Sequence, residues 1–326
     1  VPRSDRIARL SGELALLTAV GCTAGTLLGF LGGASWLLDL LAQFRVQYLY
    51  ALVIAAGILA GLSRWRAAAV AWTAAAVNLW LILPLYLPPS AQPDPAAERV
   101  HLLTYNVNAG NPRHDAIVDY IAGEQPDVAL LLEVTPELDR RLTELDGYRI
   151  ASRARRDSFG IALLIRNDRY VTAGLVRMDG TDLPAVHGTV IAGRFGFQIL
   201  GIHPPPPMSG RMSAERDRIL ELSADWAEAT PFPRVVAGDF NATRWSHAFG
   251  WLQAAGLRDS ARGFGVQPTW PRGLGPLGIP IDHVVHSGEL AVVSRRTGPH
   301  LGSDHRPVHV VLAPTRQART GRGLPP

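Results

Sequence analysis

The stretch VVAGDFNATRW (235–245) ends an apolar run on Asp239, Phe240 and Asn241. Side chains alternate between the two faces of a strand, so the Asp239 carboxylate and the Asn241 amide share one face. The same pattern recurs along the chain. Asn106 closes VHLLTYN, Glu133 closes DVALLLE and His203 closes FQILGIH, while Asp282 opens IDHVV and Asp304 and His305 open the last apolar run. A carboxylate at the end of a buried run loses hydration unless something compensates. A bound cation or a shared hydrogen-bond network would compensate all of these groups together. The donors are oxygen-rich, with histidine nearby, and the single cysteine, Cys22, lies outside the set. Such a set suits a hard ion, Mg²⁺ or Mn²⁺, rather than structural zinc. Mg²⁺ held by one or two carboxylates leaves positions for water and phosphate oxygens. The chemistry implied is metal-assisted hydrolysis of a phosphate ester or anhydride.

These groups need a scaffold. VHLLTYNV (100–107), DVALLLEV (127–134), GIALLIR (160–166), GTVIAGRF (188–195), FQILGIH (197–203), RVVAGDF (234–240), IDHVVHS (281–287), LAVVSRR (290–296) and HRPVHVVL (305–312) read as strands. DVALLLEV is a continuous apolar run, typical of a strand buried on both faces. HDAIVDYIAG (114–123) carries a helical stripe at Ile117, Val118 and Ile121. TPELDRRLTEL (135–145) opens with Thr135 and Pro136, a helix-start signal. RMSAERDRILELSADWAEA (211–229) reads as a helix with Ile219, Leu222 and Trp226 inward. Many strands with few helices imply sheet packed on sheet with helices outside. HPPPP (203–207) reads as a stiff loop that fixes the direction of His203. His114, His247, His283, His286 and His309 lack a motif context and read as structural.

The first 87 residues differ in kind. Leu14–Leu31, Val46–Leu62 and Ala67–Leu87 are apolar segments of 18, 17 and 21 residues, near the ~20 needed to cross a bilayer. Their frequent Ala and Gly fit close helix packing. Arg3, Arg6 and Arg9 precede the first segment, and Arg64 and Arg66 lie between the second and third. The positive-inside tendency puts the N-terminus and the 63–66 loop in the cytoplasm, so three crossings place everything after Leu87 outside. WLLDLLAQF (36–44) is amphipathic and suits the outer interface. PPSAQPDPAAE (88–98) reads as a stiff, extended linker, residues 99–314 as the globular domain and 315–326 as a disordered polar tail.

Charge narrows the partners. All 32 basic residues are arginine; residues 1–92 hold six of them and three acids, and the remainder holds 26 against 25 acids. A nearly neutral C-terminal domain lacks the basic footprint of a non-specific nucleic-acid binder.

In order, LLTYNVN, DVALLLEV, GIALLIR, GIHPPPP, VVAGDFNA, IPIDHVVHS and GSDHRPV resemble the successive motifs of the endonuclease/exonuclease/phosphatase superfamily, from about residue 100 to 312. The resemblance implies an α/β four-layer sandwich, two β-sheets flanked by helices, here preceded by a three-helix transmembrane region. It also implies roles. Glu133 would be the principal metal ligand, assisted by Asn106 and Asp304. Asp239 would orient and deprotonate the attacking water, and Asn241 would hold it or the phosphate. His305 would contact the phosphate and stabilise the transition state, with Asp282 fixing its tautomer and charge. His203 would be a second phosphate contact. One departure is visible: RARRDSFG (153–160) offers His203 no evident acidic partner.

The three spans, the Pro-rich linker, GIHPPPP and PTWPRGLGPLGIPIDHVV are similar to membrane proteins linked to vancomycin and teicoplanin resistance in actinomycetes. That similarity implies an extracytoplasmic phosphatase acting on an undecaprenyl-type pyrophosphate or related lipid-linked phosphate. A membrane-anchored phosphodiesterase or nuclease is the alternative, and a non-catalytic module binding a cell-wall intermediate is a third reading.

Overall fold

Residues 3–89, 91–178 and 180–316 are described by a computed structural model. Among these, residues up to 87 with Trp245–His247 form one unit, and the rest of 88–316 a second. The expected tail lies outside the described residues from 317 onward.

The first unit is helical: α1 (Arg3–Leu28), running on as a 3-10 turn (Gly29–Ala34), then α2 (Trp36–Ala42), α3 (Arg45–Gly61) and α4 (Trp65–Ile82). Small residues fill its interior, with Ala15, Ala19, Ala55, Ala56, Ala71 and Ala75 packed around Leu52 and Leu59. Large apolar side chains such as Leu14, Leu17, Ile54 and Trp80 face outward. Packing the small residues inward and leaving the large apolar ones exposed is the arrangement expected where the surroundings are apolar. Some buried polar groups are paired. Arg45 Nη1 donates to Thr26 O at 2.7 Å, and Asn78 Nδ2 to Thr26 Oγ1 at 2.8 Å. The span count needs correction. Two helical segments are long and apolar enough to cross a membrane, Arg3–Ala34 and Trp65–Leu85. The segment expected as a third span over 46–62 forms α3, which follows α2 across a 62° bend, and it makes a third crossing if that bent pair is one span. The bend falls where Arg45 must turn inward to reach Thr26.

The second unit holds, among the described residues, two six-stranded sheets. The first has the order β11-β12-β1-β2-β4-β3, with β1 (Val100–Asn106), β2 (Val128–Leu132), β3 (Tyr148–Arg153), β4 (Ile161–Arg166), β11 (Leu290–Thr297) and β12 (Val308–Pro314). The second has the order β5-β6-β7-β8-β10-β9, with β5 (Tyr170–Arg177), β6 (Pro184–Ala192), β7 (Phe195–Ile202), β8 (Arg234–Asp239), β9 (Arg258–Asp259) and β10 (Asp282–His286). One apolar layer, including Leu102, Leu130, Leu163, Ile199, Val235 and Val284, lies between the sheets. Helices α5 (His114–Glu124) and α6 (Pro136–Leu142) cover the first sheet, and α7 (Gly210–Ala229) and α8 (Phe249–Ala254) the second. The expected α/β four-layer sandwich is therefore observed.

Local expectations fare unevenly. Thr135 caps α6, its hydroxyl accepting from Leu138 N at 3.2 Å. Helix α7 is rotated from its predicted face: Ile219 is buried as expected, but Leu220, Ala224 and Ala227 complete the buried stripe, and Leu222 and Trp226 are only half-buried. The linker is shorter than expected. Pro93 bridges to Thr315 and Asp94 N donates to Pro314 O at 2.8 Å, so the second half of 88–98 belongs to the sandwich.

Candidate active site

Each sheet has a single parallel pair among the described strands, β1 with β2 and β7 with β8. Parallel strands end together, so each pair delivers polar groups from two strand ends to one place. Asn106 is the last residue of β1, Glu133 follows β2, His203 follows β7 and Asp239 ends β8. Antiparallel β10 begins at that same end, with Asp282 directly opposite Asp239. Gly238 lets β8 approach this closely: a Cβ there would lie 1.9 Å from Ile202 O, and its φ of 143° disfavours other residues.

Hydrogen bonds join the two sheets. Asn106 Nδ2 donates to Glu133 Oε1 at 3.0 Å and to Asp239 Oδ2 at 3.1 Å. Ala109 N donates to Glu133 Oε2 at 2.9 Å, and Asn241 N to Asp239 Oδ1 at 2.9 Å. Asn241 Nδ2 is held by Pro204 O at 3.0 Å, which ties the HPPPP loop to the site. Beyond Asp239, the Nε2 atoms of His203 and His305 stand 3.6 and 3.7 Å from its Oδ2. His305 Nδ1 meets Asp282 Oδ2 at 2.9 Å.

Asp304 is placed differently. Asn108 Nδ2 donates to its Oδ1 at 2.7 Å and Trp270 Nε1 to its Oδ2 at 2.8 Å. It is linked to Asn106 through Asn108, whose backbone N donates to Asn106 Oδ1 at 3.0 Å, and has no direct bond to Glu133 among the described residues. Three of the non-glycine residues with left-handed backbone lie here: Asn108 (φ 63°), Glu133 (φ 62°) and Asn241 (φ 47°). Such conformations cost of order 1–3 kcal/mol each and gather where function over-determines the backbone.

The electrostatics split the site. Burial favours a neutral His305, but Asp282, Asp239 and Asp304 outweigh it and raise its pKa to about 10. Burial likewise works against Asp239, but the His305 charge, His203 and the Asn241 N–H hold its carboxyl down at about 2. Burial opposes the Asp304 anion too, and the Asn108 and Trp270 donors keep its pKa low. His203 has the environment its sequence suggested. Within 153–160, Asp157 is taken by Arg155 at 2.6 Å, and Phe159 instead packs its ring 5.6 Å from the imidazole of His203. The buried His203 Nδ1 has no hydrogen-bond partner among the described residues, and neither has Asp282 Oδ1.

All eight sequence-predicted residues thus gather at one end of the sandwich. Sequence reasoning missed the residues that fix them. Asn108 reaches Asp304; Ser303 Oγ donates to Asn106 O at 2.8 Å and accepts from His305 N at 3.0 Å; Thr269 Oγ1 accepts from Asp282 N at 3.2 Å. Asn108 sits in the quoted LLTYNVN and Ser303 in GSDHRPV, so proximity to a motif was the available signal.

A family model described as the endonuclease/exonuclease/phosphatase family matches residues 103–305. The chain belongs to this family. Solved structures share the fold. An endonuclease/exonuclease/phosphatase protein of Bacteroides vulgatus superposes with a TM-score of 0.55 at 18% identity, covering 67% of this chain and 99% of that one. The human nocturnin catalytic domain, bound to a sulfate anion, gives 0.52 at 18%, covering 69% and 100%. A mannosyl-6-phosphatase of Bacteroides thetaiotaomicron gives 0.50 at 19%, covering 66% and 99%. No curated protein matches the sequence. The fold is thus that of a family of phosphoryl hydrolases, carried on a chain with long apolar helices at its N-terminus.

Proposed function

We propose that this protein is a membrane-anchored, Mg²⁺- or Mn²⁺-dependent phosphatase that acts outside the cytoplasm on a lipid-linked pyrophosphate of the undecaprenyl type, and so contributes to glycopeptide resistance. The observation that carries the hydrolase reading is the convergence of two imidazoles on the Asp239 carboxylate, one of them backed by Asp282.

The residues present fit a hard divalent ion. The Asn106 amide stands between the Glu133 and Asp239 carboxylates, where it does part of what a cation would do. Glu133 and Asn106, with Asp304 assisting, would hold the ion, which supplies charge neutralisation at the phosphoryl oxygens. The chain does the rest. His305, charged up to about pH 10, donates Nε2–H to a phosphoryl oxygen and meets the negative charge that grows there. Asp282 fixes the ring by accepting from Nδ1. Asp239, with a pKa of about 2, is a weak base at rest. It orients the water through a hydrogen bond and takes the proton as the new P–O bond forms. Asn241 holds the water or a phosphoryl oxygen, and His203 makes the second phosphate contact.

Two features support a lipid substrate. The N-terminal helices would anchor the site, which raises the effective concentration of membrane-bound head groups. The segment Trp270–Gly278, joined to Asp304 through Trp270 Nε1 and Arg272 N, exposes Leu274 and Leu277 at 54% and 50%. Apolar side chains beside a phosphate site suit a substrate with an apolar chain. The outer location requires the bent pair α2–α3 to count as a crossing. The test is phosphate release from polyprenyl pyrophosphate, nucleotides and a phosphodiester, with Mg²⁺ and with Asp239→Ala as control. Release from the lipid, lost in the variant, is expected. Cleavage confined to the phosphodiester or nucleotides would replace the lipid reading with the phosphodiesterase or nuclease one.

A further inference from the structure

We propose that His101, Glu124 and His309 form a second metal site, for a nitrogen-preferring divalent ion of the Zn²⁺ kind, on the helix-covered face of the first sheet. One ligand atom from each lies within 4.8 Å of the others. Three elements supply them: His101 is the second residue of β1, His309 the second of β12 and Glu124 the last of α5. Strands β1 and β12 are antiparallel neighbours, with His101 opposite Val311 and Leu103 opposite His309. Both imidazoles therefore leave the sheet on the same face, the one shared with Leu103 and Tyr105 under α5. Tyr120 and Glu124, one turn apart on α5, reach down to them.

Surrounding bonds prepare the ligand atoms. His101 Nε2 and His309 Nδ1 are 2.8 Å apart and share one proton. The Tyr120 hydroxyl engages the other nitrogen of His309, Nε2, at 2.6 Å. Arg296 Nη2 donates to Glu124 Oε2 at 2.6 Å, which leaves Oε1 to turn toward the histidines. Outer partners of this sort orient the ligands of a metal. In the loaded site the ion takes the place of the shared proton, which moves to His101 Nδ1, so both facing nitrogens present lone pairs. Zn–N bonds of about 2.0–2.1 Å at a tetrahedral angle would set those nitrogens roughly 3.3 Å apart, so the rings part by about half an ångström.

Two imidazoles and a carboxylate, with a fourth position open, suit Zn²⁺ and not Mg²⁺. The place is separate from the phosphatase site. His101 and Asn106 stand five residues apart on β1, roughly 17 Å along the strand, and their side chains leave opposite faces of the sheet.

The test uses the full-length protein in detergent, stripped by chelator, given one equivalent of Zn²⁺ in excess Mg²⁺, desalted and assayed for bound metal. Wild type and Glu133→Gln should each keep one Zn²⁺ per chain. His101→Gln and Glu124→Gln should bind it at least 10-fold more weakly. These two ligands lie on different elements, so failure of one variant to fold leaves the other. Co²⁺ in place of zinc should give intense visible absorption in wild type and lose it in either ligand variant. The proposal is overturned if wild type keeps no zinc, if Glu133→Gln loses it, or if both ligand variants hold it as tightly as wild type.

Discussion

His305 and His309 stand four residues apart, one on the approach to β12 and one within it, and both are buried. Their charges are opposite in tendency. His305 is held protonated, with a pKa of about 10, and His309 neutral, with a pKa of about 3. Burial pushes both down. The neighbours decide the outcome. His305 faces Asp282, Asp239 and Asp304. His309 faces His101, the Tyr120 hydroxyl and Arg296, while the nearby Glu124 is engaged by Arg296. One strand therefore links a charged, oxygen-rich corner to a neutral, nitrogen-rich one.

The comparison can be broken at its charged end first. Asp239→Ala should lower phosphate release by roughly 10³-fold or more, since it removes the group that receives the proton; near-normal turnover would remove Asp239 from the mechanism. Asp282→Asn should make His305 resemble His309. The expected result is a turnover about 10²–10³-fold lower, with the alkaline limb of the pH–rate profile moved from about 10 toward neutrality. An unmoved limb would show that Asp282 does not sustain the charge.

The neutral end is best read through stability. A histidine whose folded pKa lies above its ordinary 6.5 contributes stability that is complete below 6.5 and is lost as pH rises through about 10; this is His305. His309 has the reverse sign. Its folded pKa is depressed, so stability present above 6.5 is lost as pH falls toward about 3. His101, His283 and His286 are lowered too and act in the same direction. In metal-free protein, His309→Gln should flatten the fall in melting temperature between about pH 6.5 and 4, and an unchanged slope would assign that fall to the others. The smallest effect belongs to Tyr120→Phe, which removes one hydrogen bond to His309 Nε2 and should cost about 1 kcal/mol in denaturant unfolding. A loss of several kcal/mol would mean that the hydroxyl organises more than this ring.

The charged corner was legible in the sequence because strand ends announce themselves. Asn106, Glu133, His203, Asp239 and Asp282 each interrupt an apolar run, and the structure brings those interruptions together. Thr269 was not legible, because it acts through the backbone N–H of Asp282, 13 positions on, and Ser303 gave only the signal of lying within a motif, its bond to Asn106 O spanning 197 positions. His101 and His309 escaped for a related reason: 208 positions separate them, and each alone looks like a core histidine. Edge strands β3 and β5 were missed because YRIASR and YVTAGLVR are only half-buried and lack a clear apolar alternation. The middle helical region read as two pieces, WLLDLLAQF and the span over 46–62, and the structure divides it at the same place, between α2 and α3.

The bridge between Pro93 and Thr315 has a consequence for engineering. It brings the entry and exit of the sandwich side by side, so its chain is nearly a closed ring. A few residues joining 315 to 93 would close that ring, and the exposed β6–β7 turn at Gly193–Arg194 offers a place to open it. Such a circular permutant would keep every strand pairing and have new termini, and it would free the catalytic sandwich for study without its helices.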